Sequence, residues 1–550
     1  MIRSFLFRSA RAFALLICFA AAFAAQTPAP FDIRYELSMP NPASHLFEVK
    51  MQIETPQPEN FIELQMPRWS PGRYAVVDFA KGVQEVRVSV GCPSNVADCL
   101  AQTLPVARAD TQTWRIAPNG QRRIAVTYKV FANNLSGTFS QLDARHANFN
   151  PGTIFMYVAN HKADPVNLKI NAPANWKIIN GRMQRPDQTE WRFDNYDILI
   201  DTPTEIAPDF TVDEFRVGDK LYKVAVHSFA DEGGRRPQLV RDLEKVVRAQ
   251  TAMMGAPDYE SYTFIFHFAP GNETGGDGME HLTSTQIIET DPLASDAGYA
   301  GALGTGSHEF FHVWNVKRLR PVELGPWDFT RPVNTRALYI AEGFTNYYGD
   351  LHLRRAGIWT DARLLESYSR TITGIENAPG SKLTSAEESS VIAPFLDRAS
   401  RVQNTNLAAT TVSYYPKGEV LALALDLLIR KRSNERASLD DVMRRMYQEF
   451  YLNSPKNTYY LKGRGYTIED FERVASEVAG VSMNDFFVKY TRGTETPPYD
   501  EGLEFVGLKL TRAAAVRPNG ESYTVYKIEE LPGASAEARR RRADWLDGKR

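Results

Sequence analysis

The sequence predicts a multidomain protein. An N-terminal β-sandwich precedes a mainly helical α+β domain, and a short β-patterned segment follows. Three observations lead there. The chain has 550 residues, more than one hydrophobic core usually organises. Its first part holds short alternating runs, such as Phe47-Glu48-Val49-Lys50-Met51-Gln52-Ile53 and Arg123-Ile124-Ala125-Val126-Thr127-Tyr128-Lys129-Val130, separated by Pro, Gly and Asn. From Pro237 onward the apolar residues recur at helical spacing instead.

Residues 1–24 read as a secretory signal peptide. Arg3, Arg8 and Arg11 form its positive region, 13–21 its apolar core, and Ala22-Phe23-Ala24 the small residues before a cut. The core is too short to span a membrane. Ile17 before Cys18 is a poor lipoprotein signal. The mature chain is therefore expected in the periplasm or outside the cell, with no membrane span. It keeps two cysteines, Cys92 and Cys99, and an oxidising compartment predicts a disulfide closing their Pro/Ser/Asn-rich loop.

Residues 25–215 form the predicted β domain and 216–495 the helical one. Its first strong helix covers 237–254, with amphipathic stretches near 360–377, 418–432, 438–452 and 467–492. Residues 496–550 return to β-like patterning. A formal net charge of -2 gives no bias toward nucleic acid or membrane. The basic cluster at 317–320 suits the end of a helix, and 539–542 reads as a solvated tail.

The chemistry concentrates in His308-Glu309-Phe310-Phe311-His312. Positions i and i+4 share a helix face, so the two imidazoles can grip one metal ion with Glu309 beside them as a base. Gly304-Thr305-Gly306-Ser307 offers a loop and N-cap before the motif, and Phe310, Phe311 and Trp314 supply its apolar side. A third ligand is needed. Glu342 lies among apolar neighbours in Ala337-Leu338-Tyr339-Ile340-Ala341-Glu342-Gly343-Phe344, where an isolated carboxylate is costly unless paired or metal-bound. Its competitor, Glu323, follows Pro321 in a polar loop. Asn346 and Asp350, one and two turns on, are candidates to orient a ligand histidine. The apolar strand 262–268 leads into Gly275-Gly276-Asp277-Gly278-Met279-Glu280-His281, whose glycines let backbone approach a ligand. In Tyr414-Tyr415-Pro416-Lys417-Gly418, Pro416 opens an apolar helix and a Tyr at its mouth can face an oxyanion. Trp69, Tyr74 and Tyr157 read as core or turn residues.

These motifs carry a resemblance. His-Glu-Phe-Phe-His with Glu342-Gly343-Phe344 looks like the gluzincin metallopeptidases, which have a thermolysin-like catalytic fold. Gly278-Met279-Glu280-His281 resembles the exopeptidase motif of the aminopeptidase N family, with His281 where those relatives carry Asn. Tyr415-Pro416-Lys417-Gly418 resembles that family's Tyr-x-Lys-Gly. Pro67-Arg68-Trp69-Ser70-Pro71-Gly72-Arg73-Tyr74 and Trp314-Asn315-Val316-Lys317-Arg318-Leu319-Arg320-Pro321 are similar to the glycyl aminopeptidase family. The resemblance implies Zn2+ on His308, His312 and Glu342, Glu309 as general base, and Tyr415 as transition-state donor. It implies Glu280 on the substrate's α-ammonium with Gly276 and Gly278 close by, and peptides with small N-terminal residues as substrates. It also implies a PDZ-like C-terminal module, which 496–550 is too short to complete and which is expected to be truncated or degenerate. The alternatives are a secreted zinc endopeptidase and a non-catalytic peptide-binding protein that keeps the site.

Overall fold

The computed structural model describes residues 29–91, 102–397, 405–454 and 461–549. The expected signal peptide and the Cys92/Cys99 pair lie outside the described residues.

The N-terminal part is β-rich. A six-stranded sheet runs in the order Glu190–Phe193, Val166–Asn171, Asp32–Ser38, Leu46–Glu54, Arg123–Phe131, Val83–Val90. In Leu46–Glu54 the pattern read from the sequence holds: Phe47, Val49, Met51 and Ile53 are buried, while Lys50 and Gln52 face water. Two four-stranded sheets pack into the same core, which gathers Trp69, Trp114, Phe149 and Phe155.

The strand Thr211–Val217 already belongs to the second part. It edges a five-stranded sheet continued by Lys220–Ser228, Ser261–Phe268, Ser284–Glu289 and Asp277–Glu280. The middle three are parallel and both edges antiparallel. Helices cover this sheet, and Ser261–Phe268 is buried from Tyr262 to Phe268, as a parallel strand covered on both faces must be. The helices Arg236–Met254, Asp361–Asn377 and Tyr414–Arg432 fall where the apolar period predicts them. Tyr414–Arg432 is buried nearly all round and forms the centre of the helical body.

The segment 496–550 differs from its expectation. It opens with the helix Tyr499–Phe505, followed by the hairpin Leu508–Val516 and Ser522–Glu530 and the helix Ala536–Asp547. The hairpin lies on Asp361–Asn377, where Ser369 Oγ accepts from Ile528 N at 2.9 Å. Trp545 is fully buried and donates to Tyr347 Oη at 2.9 Å. Burying such a ring stabilises by roughly 1.5–3 kcal/mol. The run 539–542 is therefore no free tail: Arg540 and Arg541 pair with Glu435 at 2.6 and 2.8 Å and Arg542 with Glu530 at 3.0 Å. The β-like patterning of this segment is met by the hairpin alone, and helices flank it on both sides.

Candidate metal centre and active site

The helix Asp296–Phe311 carries His308 and Glu309, with His312 as its C-cap. It starts earlier than expected. Ser295 caps it, accepting from Gly298 N at 2.9 Å. Ser307 is buried mid-helix, where its hydroxyl donates to the Gly349 carbonyl at 2.8 Å. A tertiary partner has replaced the local capping role.

Glu342 stands in a π-helical turn, Tyr339–Gly343, that runs into the helix Phe344–Arg355. Three donor atoms converge here. His308 Nε2 and His312 Nε2 are 3.0 Å apart, and Glu342 Oε2 lies 3.6 and 3.3 Å from them. His312 Nδ1 faces the Asn315 carbonyl at 2.6 Å, which puts its proton there and leaves Nε2 free to bind. This set of two imidazoles and one carboxylate, open on the cleft side, fits a catalytic zinc site.

The other Glu342 oxygen accepts from Tyr74 Oη at 2.7 Å. Tyr74 belongs to the N-terminal part; it is buried in the core of the second part, as a core reading expects, and its hydroxyl also holds this ligand. The expected orienting groups are elsewhere: Asp350 accepts from Ser367 at 2.6 Å and Asn346 bonds Glu419. Glu323 accepts from Thr335 at 3.0 Å and stays outside the donor set.

Beside the donors lies a cleft of about 480 Å³. Its lining includes Gly278, Glu280, Glu309, Tyr415 and, from the N-terminal part, Gly72 and Arg73. Gly276 does not line it. It precedes the edge strand Asp277–Glu280, and each extended residue moves the chain about 3.3 Å away. At Gly278 an added Cβ would sit 2.3 Å from Glu309 Oε1, so only glycine lets this strand pass so close. Gly72, at φ +83°, meets Glu280 in the same way, since a Cβ there would lie 2.7 Å from its Oε2.

A second pair of glycines sets Tyr415. A Cβ on Gly343 would stand 2.3 Å from Gly418 Cα, so the Glu342 turn and the helix Tyr414–Arg432 touch backbone to backbone. That contact brings the Tyr415 ring to 6.2 Å from the His308 ring. Tyr414 turns inward, buried, with its ring 6.1 Å from Tyr74.

Arg73 was not singled out by the sequence. It pairs with Asp277 at 2.6 Å and Asp397 at 3.4 Å, and Tyr74 N donates to Asp397 at 2.9 Å. One short segment thus ties the N-terminal part to both walls of the cleft. His281 bonds Asp201 at 3.0 Å, and Lys317 reaches the same carboxylate at 2.8 Å. Arg318 donates to the Val313 carbonyl at 2.8 Å, serving the end of the metal helix as expected.

The charges are strongly coupled. Burial pushes the Glu309 carboxyl well above its usual range; Glu280, Glu342 and Asp277 add to this against the opposing charge of His312. Burial works to lower His312, but Glu342 outweighs it and holds the ring up at about 10. A divalent ion therefore competes with a proton for this nitrogen. Burial, then Glu342 and Tyr414, push the Tyr415 phenol well above its ordinary value, so it remains a hydrogen-bond donor.

Residues 34–208 match the Peptidase M61 N-terminal domain, and residues 301–421 match the M61 glycyl aminopeptidase domain. Among solved structures, an aminopeptidase N family protein from Idiomarina loihiensis is similar over 89% of this chain and 81% of its own, at 27% identity and TM-score 0.78. A point mutant of an M1 zinc metallopeptidase from Deinococcus radiodurans shares the fold at 12% identity and TM-score 0.51, over 86% of this chain and 96% of its own. The same enzyme with a Tyr-Ser-Ala substrate aligns at 11% identity and TM-score 0.52, with the same two coverages. A search of curated proteins gave no match. Among the described residues no helix is long and apolar enough to cross a membrane.

Proposed function

Since the chain belongs to the M61 glycyl aminopeptidase family and is a zinc metallopeptidase, we propose that it is an exported aminopeptidase that removes small N-terminal residues, Gly and Ala, from peptides. Its second domain is read as thermolysin-like. Zinc on His308, His312 and Glu342 supplies a Lewis acid that activates water and polarises a carbonyl. Glu309 takes a proton from the attacking water and gives it to the leaving amine as the C–N bond breaks. Tyr415 donates a hydrogen bond from its hydroxyl to the tetrahedral oxyanion. Glu280 pairs with the substrate's α-ammonium, while the backbone at Gly278 lies open to the substrate chain.

The observation that carries this reading is Glu280. Its side chain is buried, and no Lys, Arg or His pairs with it among the described residues. Its carboxylate also falls within 4.8 Å of the Glu309 and His312 donor atoms. A buried carboxylate beside the hydrolytic centre, with no Lys or Arg against it among the described residues, is placed to receive a free N-terminus. Losing such a charge-assisted bond costs about 1.5–3 kcal/mol. N-acetylated peptides are therefore expected to be cleaved at least ~10-fold less efficiently than free ones. Glu280→Ala is expected to impair cleavage of free peptides with zinc still bound. Equal rates on acetylated and free peptides would move the protein to the endopeptidases.

Tyr74 gives a second test. A partner that orients a metal ligand contributes about 10–100-fold to metal affinity or activity. Tyr74→Phe removes only the hydroxyl that holds Glu342. Competition against a chelator should show weaker zinc binding by that factor, and unchanged affinity would reduce Tyr74 to packing.

A further inference from the structure

A second cluster lies away from the cleft. His146, Glu205, His227 and His267 bring four ligand atoms within 4.8 Å of one another, and all four side chains are buried. His146 precedes the strand Ala147–Phe149, which pairs with Thr204–Ala207, the strand of Glu205. His227 and His267 face each other in register on Lys220–Ser228 and Ser261–Phe268. The N-terminal part thus supplies two members and the second part the other two.

Glu205 Oε1 lies 2.6 Å from His227 Nδ1 and 3.0 Å from His146 Nδ1, and Oε2 lies 3.0 Å from His267 Nε2. No Lys or Arg pairs with Glu205 among the described residues. The far sides of two rings are held as well. His227 Nε2 faces Asp209 Oδ1 at 3.3 Å, and His146 Nε2 faces the Gln141 side-chain amide at 3.0 Å. An outer carboxylate or amide behind a ligand histidine is the usual support, and here it turns both Nδ1 atoms toward Glu205. A buried carboxylate is costly unless paired or metal-bound, and one divalent ion among these four ligand atoms meets its charge. The His308–His312 pair shows the same close approach, at 3.0 Å.

We infer that this cluster is a second metal site, structural rather than catalytic, which binds zinc through three imidazoles and one carboxylate and bolts the two parts together. Three nitrogens and one oxygen suit tetrahedral zinc, and a closed set of four protein ligands marks a structural site. The inference does not depend on the peptidase reading.

Elemental analysis of the full-length protein, reconstituted with zinc and dialysed, tests it. Two zinc equivalents per chain are expected. H308A/H312A should keep one, and its melting temperature should fall on prolonged chelation. H267Q should keep the equivalent held by His308, His312 and Glu342 and lose the other. Cobalt(II) added to H308A/H312A should give the visible bands of a four-coordinate nitrogen-rich site, a readout that needs no variant in the cluster itself. One equivalent in the wild type with none in H308A/H312A, or no cobalt bands, overturns the proposal.

Discussion

Glu309→Gln is expected to keep its zinc and lose at least ~100-fold in turnover on glycyl and alanyl amides, the usual scale for a positioned general base. The substitution keeps the size of the side chain and changes its proton chemistry. Glu309 stands outside the donor set of His308, His312 and Glu342, so elemental analysis should find the metal unchanged. Its Oε2 is buried without a hydrogen-bond partner, and burial opposes its ionised form. A divalent cation at the neighbouring donors reverses that preference, since an opposite charge within a few ångströms favours the carboxylate. On the proposed mechanism Glu309 then serves as a base only with the metal bound. Wild-type protein stripped by a chelator should be inactive until zinc is returned, and the Gln variant should not recover. Full activity of Glu309→Gln would falsify the mechanism.

Tyr415→Phe is expected to raise the barrier by about 2–4 kcal/mol with little change in substrate affinity. The loss belongs in kcat because the hydroxyl meets an oxygen that becomes anionic only as water adds. Tyr415 lines the cleft beside His308, and burial, then Glu342, raises its phenol above its ordinary value. Tyr414, turned inward against Tyr74, is the control. If Tyr414→Phe shows the larger loss in kcat, the roles of the two tyrosines are exchanged.

Much of this was legible in the chain because it is local. His308, Glu309 and His312 share a helix face through backbone geometry alone, and Glu342 stood out as a charge in an apolar run. The order of β-rich part and helical part followed from the change in apolar period. What escaped depends on contacts between distant segments. Ser307 has a capping side chain, but Gly349 from another helix takes its hydroxyl. Gly343 and Gly418 look like ordinary helix glycines until the two helices touch. Tyr74 lies 268 residues before Glu342, and nothing in its neighbours announces the bond. In the C-terminal segment the β-like patterning hid two helices, one anchored by Trp545 in the helical body.

The Tyr74–Glu342 bond also bears on when the enzyme becomes active. Newly made chains each offer a free N-terminus and unfolded stretches, and a peptidase active among them before it had folded would be a hazard. Here the hydrolytic centre is complete only with both parts in place. Until the β-rich half has docked, Glu342 lacks its clamp, and the cleft lacks the wall formed by Gly72 and Arg73. Docking of the two parts therefore ties hydrolysis to the closed chain, so that activity reports on folding of the whole.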